Sequence, residues 1–180
     1  MNVTRKPSNK AEGALMHLTE NIIALKAPNE ALGRGHILQI YNLDQKKKLK
    51  TIELSENIVF WKWVSATKLA IVTNSSVYHI NIANESEKEV KILDRAGGLV
   101  ENATTQIIGY ALEPNEKWSA LYGISTPDGG KTINGHIQLY LIEGGKQQLL
   151  EGHACTFGKA YIHNDTYQST LFCFVEKKQG

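Results

Sequence analysis

Cysteine is scarce: Cys155 and Cys173 are the only two in 180 residues. Two thiols cannot staple a chain of this size, which excludes the disulfide-built secreted scaffolds. Charge of one sign is lacking as well. Twenty basic residues face 18 acidic ones, for a formal net charge of +2, so the basic excess of a nucleic-acid binder is missing. Long apolar runs are absent too. Stretches such as Ile22-Ile23-Ala24-Leu25, Ile58-Val59-Phe60-Trp61 and Leu69-Ala70-Ile71-Val72 fall far short of the roughly 20 residues a spanning helix needs. The segment Met1-Asn2-Val3-Thr4-Arg5-Lys6-Pro7 has no apolar centre of the kind a secretory signal requires. Asn-x-Ser/Thr triplets occur, but without a signal they read as chance in an Asn-rich cytosolic chain. Enzyme signatures are missing: no Gly-x-Ser-x-Gly, no phosphate-binding loop, no dinucleotide fingerprint and no His-Glu-x-x-His.

What is present is a folded β protein. A hydrophobic content of 42% with 21% charged residues is too apolar for a disordered chain. The periodicity is that of strands. His36-Ile37-Leu38-Gln39-Ile40-Tyr41-Asn42-Leu43 is β-branched and aromatic with partial alternation. Lys68-Leu69-Ala70-Ile71-Val72-Thr73 and Val77-Tyr78-His79-Ile80-Asn81-Ile82 flank the turn signal Asn74-Ser75-Ser76 and predict a hairpin. Further strands are predicted over 118–124, 136–142 and 169–175, and no window carries a capped helical stripe. Related segments begin at 37, 77 and 137, about 40 and then about 60 residues apart, near the period of propeller blades. A β-sandwich built of similar hairpins is the competing architecture. At about 40–45 residues per blade, the chain holds three blades and part of a fourth, one partial propeller over residues 1–180.

Few side chains stand out chemically. The histidines His17, His36, His79, His136, His153 and His163 have no ligand spacing, and His79 reads as a structural residue in a strand. Cys155 and Cys173 lie in apolar sequence without a basic neighbour, and read as buried inert thiols. Trp61 and Trp63 flank Lys62 at period two, so at least one belongs to the core. The one charge cluster is Lys46-Lys47-Lys48 with Lys50. Two readings of it stay open. It is a solvated hairpin turn, or it joins Gln39 and Tyr41, which share a strand face, in lining a groove for an extended peptide. In the second reading backbone edges pair with the peptide, the ring takes a large apolar side chain and the lysines attract acidic residues.

Several words of the sequence resemble one family. Asn57-Ile58-Val59-Phe60-Trp61-Lys62-Trp63-Val64, Val77-Tyr78-His79, Leu38-Gln39-Ile40-Tyr41-Asn42-Leu43, Leu93-Asp94-Arg95, Gln106-Ile107-Ile108-Gly109-Tyr110, Glu151-Gly152-His153-Ala154 and Ser169-Thr170-Leu171-Phe172-Cys173-Phe174 are similar to the N-terminal domain of clathrin heavy chains. They run in family order from about Arg5 to Phe174. The resemblance implies an all-β, partial seven-bladed β-propeller: blades resembling the second to fourth and the start of the fifth. It implies no enzymatic activity, no cofactor and no metal. It implies a vesicle-coat protein on the cytoplasmic face of coated pits and vesicles, binding adaptor proteins through acidic, leucine-rich linear motifs.

By the same resemblance, the positions matching the clathrin-box groove are Lys6, Ile23, Ile37, Gln39, Tyr41, Lys46 and Lys48. Tyr41 stands where the family usually has phenylalanine, Ile37 where threonine is common, and Lys6 replaces an arginine. A second family site matches Gln106 and Ile108. A third matches Trp118 and Gln148, its usual lysine position falling on Gly145. The first blade, the last blades and the leg through which clathrin chains meet one another fall outside this sequence, so one wall of the groove does too. The segment 28–35 is longer than the commonest family turn and sits beside the groove strand. The implied partners include neither nucleic acid nor an inserted membrane. The competing functional readings are a structural coat segment with decayed peptide sites, and an inert truncated fragment.

Overall fold

A computed structural model describes residues 11–162 and 166–177. Among the described residues there are fourteen strands and no α-helix. They form four antiparallel sheets. The first is β1 (Gly13–Met16), β2 (Ile22–Pro28), β3 (His36–Asn42) and β4 (Lys47–Glu53), in that spatial order. The second runs β5 (Ile58–Trp63), β6 (Lys68–Thr73), β7 (Ser76–Asn81) and β8 (Val90–Asp94). The third holds β9 (Thr105–Leu112), β10 (Trp118–Ser125), β11 (Asn134–Leu141) and β12 (Lys146–Glu151). A pair follows, β13 (Ala154–Ala160) with β14 (Ser169–Val175). Each sheet is a meander of consecutive strands with no crossover. That is the connectivity of blades, whereas a sandwich would trade strands between sheets through Greek keys. The protein is an all-β, partial β-propeller.

The described residues divide into two compact units: those up to Asn74 together with Tyr78–Val90, and Ser75–Val77 together with those from Lys91 onward. The first unit is built on alternation. Ile22, Ala24, Leu38, Ile40 and Ile52 are buried, and their neighbours Ile23, Leu25, Ile37, Gln39 and Tyr41 stay half-exposed. Across from the buried set lie Ile58, Trp63, Leu69, Ile71 and Ile80. Trp63 is fully packed, with the His17 ring edge-on at 4.8 Å. Trp61 points the same way but is half-buried, with the Lys26 ammonium over its ring. His79 is buried in β7. In the second unit Tyr110, Ala120, Leu121 and Ile137 are buried together with Gln138. The Gln138 amide is satisfied: Nε2 donates to the carbonyl of Asp94 and to Gln147, and Oε1 accepts from the Ala96 N–H.

The strands expected at 36–43, 69–73, 77–82, 118–124, 136–142 and 169–175 are present to within two residues at each end. Eight further strands were not among those expected. β1 is four residues long and β4 opens with lysine, so neither shows clean alternation.

The lysine cluster divides in a way that neither reading anticipated. Lys46 sits in the turn at positive φ, and Lys47 and Lys48 are exposed at the start of β4. Lys50 is 7% exposed. Its ammonium donates to the carbonyls of Asn81 at 2.7 Å, Asn84 at 2.9 Å and Glu87 at 2.6 Å. Desolvation by burial lowers its pKa, and Glu87, Glu89 and Glu85 oppose that shift. Removing this ammonium takes a charged donor from three carbonyls, of which that of Asn84 keeps the Glu87 N–H. Lys50→Ala is therefore expected to lower the urea-unfolding free energy by about 2–3 kcal/mol, and Lys48→Ala by less than about 0.5 kcal/mol. Equal losses in the two variants would contradict the buried role.

Candidate peptide-binding face

The half-exposed face of the β1–β4 sheet is laid out by strand register. One cross-strand row is Met16, Ile23, Tyr41 and Lys48. The next is Ala14, Leu25, Gln39 and Thr51, followed by Ala27, Ile37 and Glu53. The expected residues Ile23, Ile37, Gln39, Tyr41 and Lys48 are thus brought to one face. Lys46 lies in the β3–β4 turn at its end, and Lys6 lies outside the described residues. A register shift between Ile40 and Tyr41 sets Lys48 opposite the ring. The Tyr41 hydroxyl donates to Gln39 Oε1 at 3.1 Å, which ties the two side chains together along the strand.

Three features of this face are not evident from the motif words. Met16 and Leu25 extend the apolar strip by one strand and one row. Glu53 stands opposite Ile37. A cavity of about 300 Å³ opens at the Ile37 end, lined among others by Glu12, Ala27, Pro28, Glu30 and Ile37. The mode of contact also changes. β3 is hydrogen-bonded to β2 on one side and β4 on the other, so its backbone has no edge to offer. A ligand lying along β3 would meet side chains and not a free strand edge.

The other expected positions lie in the second unit. Gln106 and Ile108 are both exposed on β9, with Ile108 at the point where the pairing with β10 shifts. Trp118 begins β10, half-buried, and Gln148 is exposed on β12. Trp118 opposes Leu141 and Gln148 opposes Leu139, so the two side chains share one sheet face. Gly145 stands at positive φ in the turn before β12. No group of three or more His, Cys, Asp or Glu is placed to hold a metal among the described residues.

Comparison of the sequence with known proteins places the chain in a family. No protein-family profile matches the chain. Clathrin heavy chain 2 of Oryza sativa subsp. japonica is 38% identical over 169 residues, covering 93% of this chain and 10% of that protein. Clathrin heavy chain 1 of Arabidopsis thaliana is 37% identical over 182 residues, covering 98% and 10%. Clathrin heavy chain 2 of Homo sapiens is 36% identical over 171 residues, covering 95% and 10%. The chain belongs to the clathrin heavy chain family, as a partial domain. It spans about a tenth of the length of these relatives. Among solved structures, Kuenenia stuttgartiensis hydrazine synthase aligns with a TM-score of 0.48 and 12% identity, covering 78% of this chain and 42% of that one. A likeness at that level carries no argument.

The thiols of this clathrin-related chain are not equivalent. Cys155 is partly buried, and desolvation by burial pushes its pKa up to about 12. Cys173, read from sequence as buried, is exposed, because the β13–β14 pair leaves one of its faces open. The thiolate is the reactive form. At pH 8 Cys155 holds only about one part in 10,000 as thiolate. Iodoacetamide at that pH should label Cys173 well before Cys155, as read by peptide mass spectrometry. Faster labelling of Cys155 would contradict the burial assigned to it.

Proposed function

We propose that the chain is a non-enzymatic segment of a vesicle-coat protein, acting on the cytoplasmic side of coated vesicles. In this reading the β1–β4 face binds short, extended, acidic and leucine-rich motifs in adaptor proteins. Its four-stranded sheets correspond to the second to fourth blades of the clathrin domain, with β13 and β14 beginning a fifth. The observation that carries the reading is one row of side chains. Ile23, Tyr41 and Lys48 stand side by side, with Gln39 bonded to the ring hydroxyl and Lys46 beyond. An apolar strip closed at one end by exposed ammonium groups suits a peptide whose leucines precede an acidic residue. Relatives named as clathrin heavy chains support the coat role. The positions Gln106 with Ile108, and Trp118 with Gln148, are proposed as further motif sites on the same grounds.

The energetics order the contacts. Burying a leucine side chain against the ring is worth about 1.5–3 kcal/mol. Each exposed lysine adds about 0–1 kcal/mol and is screened by salt. In a titration of a labelled acidic leucine-rich peptide, Tyr41→Ala should weaken binding about ten-fold or more at every salt concentration. Lys46→Glu combined with Lys48→Glu should weaken it mainly at low salt. Unchanged affinity in Tyr41→Ala, with the peptide bound by the unmodified chain, would remove this face from consideration.

A further inference from the structure

The loop between β2 and β3 is a built feature. The Asn29 N–H donates to the Gly35 carbonyl at 3.0 Å, and Asn29 Oδ1 accepts from the Leu32 N–H at 3.2 Å. Gly35 has φ of 76°, and a Cβ there would lie 2.1 Å from the Leu54 carbonyl oxygen, so only glycine fits. Asn29 is 2% exposed, and its Nδ2 has no acceptor among the described residues. A buried amide donor left unpaired is destabilising, and it is a fixed point of attachment for a ligand oxygen.

Asn29 lines a second cavity, of about 630 Å³, together with Glu12, Glu30, Arg34, His36 and Asn57. Glu12 and Glu30 also line the smaller cavity at Ile37, so the two spaces adjoin. His36 is already committed: Nδ1 accepts from the Ile58 N–H at 2.7 Å, which leaves Nε2 to donate to Glu12 at 3.2 Å.

The strip is therefore bipolar. Lys46 and Lys48 mark the Tyr41 end. Glu53, opposite Ile37, and the cavity residues Glu12 and Glu30 mark the other, with Arg34 on the far cavity offsetting part of that charge. We infer that the peptide face continues past Ile37 into the loop cavities, and that its occupant is an extended peptide acidic at the Tyr41 end and basic at the Ile37 end. The inference rests on the peptide-binding reading of the same face and adds a second specificity element to it. Tyr41 and Ile37 are four residues apart on one strand, about 13 Å at roughly 3.3 Å per residue. The acid and the base of the peptide thus stand about four to six residues apart. The base meets Glu30 and Glu12, and a main-chain carbonyl of the flank takes the Asn29 Nδ2 donor.

The test uses fluorescence anisotropy at low salt with three labelled peptides. One is the acidic, leucine-rich core alone. The second carries a lysine flank on the far side of the leucines from the acid, and the third a glutamate flank there. The lysine-flanked peptide should bind about two- to five-fold tighter than the core, and the glutamate-flanked peptide no tighter. Glu30→Lys, at an exposed position, should abolish the lysine gain and leave the core peptide unaffected. Asn29→Asp keeps the acceptor for Leu32, removes the donor and adds a negative charge, so it should weaken the glutamate-flanked peptide relative to the core. Should Asn29→Asp fail to fold, Glu30→Lys carries the test alone. If the core peptide binds and all three affinities coincide, or if Glu30→Lys keeps the lysine gain, the inference is overturned while the peptide reading stands. If no peptide binds, both fall.

Discussion

The β1–β4 sheet depends on one extra residue in β4. Strand alternation sends every second side chain to the same face, so a one-residue slip exchanges the faces. Between Ile40, which opposes Lys50, and Tyr41, which opposes Lys48, the pairing passes over Leu49. This bulge lets two lysines of the same strand serve opposite purposes. Lys50 follows Ile40 to the packed face and ends among three carbonyls of the 81–87 segment. Lys48 follows Tyr41 to the open face. Without the shift, Leu49 would oppose the ring and the open face would lose its nearest cation. Bulges re-aim side chains in this way wherever a strand must satisfy two demands at once.

That arrangement marks how far the sequence could be read. The strands that alternate clearly, such as His36–Asn42, or that are apolar along their centre, such as Lys68–Thr73, were legible because burial on one or both faces leaves a visible pattern. β4 was not legible, because its lysines carry no outward sign that one of them is buried. Charge is a property of the residue, and burial is a property of the partners that the fold brings to it. The carbonyls of Asn81, Asn84 and Glu87 lie more than 30 residues away in sequence from Lys50. The same reasoning applies to Cys173. Its neighbours Phe172 and Phe174 make the segment look like core, yet β14 belongs to a two-stranded pair and the thiol is exposed.

The candidate face was legible in part for a related reason. Gln39 and Tyr41 declare a shared face by their spacing alone. Nothing local declares that Ile23 lies opposite Tyr41, or that Glu12 and Glu30 reach the cavity beside Ile37. Those neighbours come from pairing between strands and from a loop held shut by Asn29 and Gly35. The family resemblance supplied Ile23. It said nothing of how the loop is held or of what lines the cavities beside it. Local departures of this kind are where a shared fold acquires its own specificity.

An interior strand imposes a division of labour on any ligand of this face. Because β3 uses its backbone groups on β2 and β4, the face offers no row of free N–H and C=O groups to hold an extended chain in register. Apolar contact with Ile23, Leu25, Ile37 and Tyr41 is non-directional and tolerates sliding by one residue. Charges fix register where hydrogen bonds do not: ammonium groups at one end and carboxylates at the other make one direction of the ligand favourable and the reverse unfavourable. Specificity on such a surface lies in the spacing of its charged ends, and affinity in the apolar strip between them.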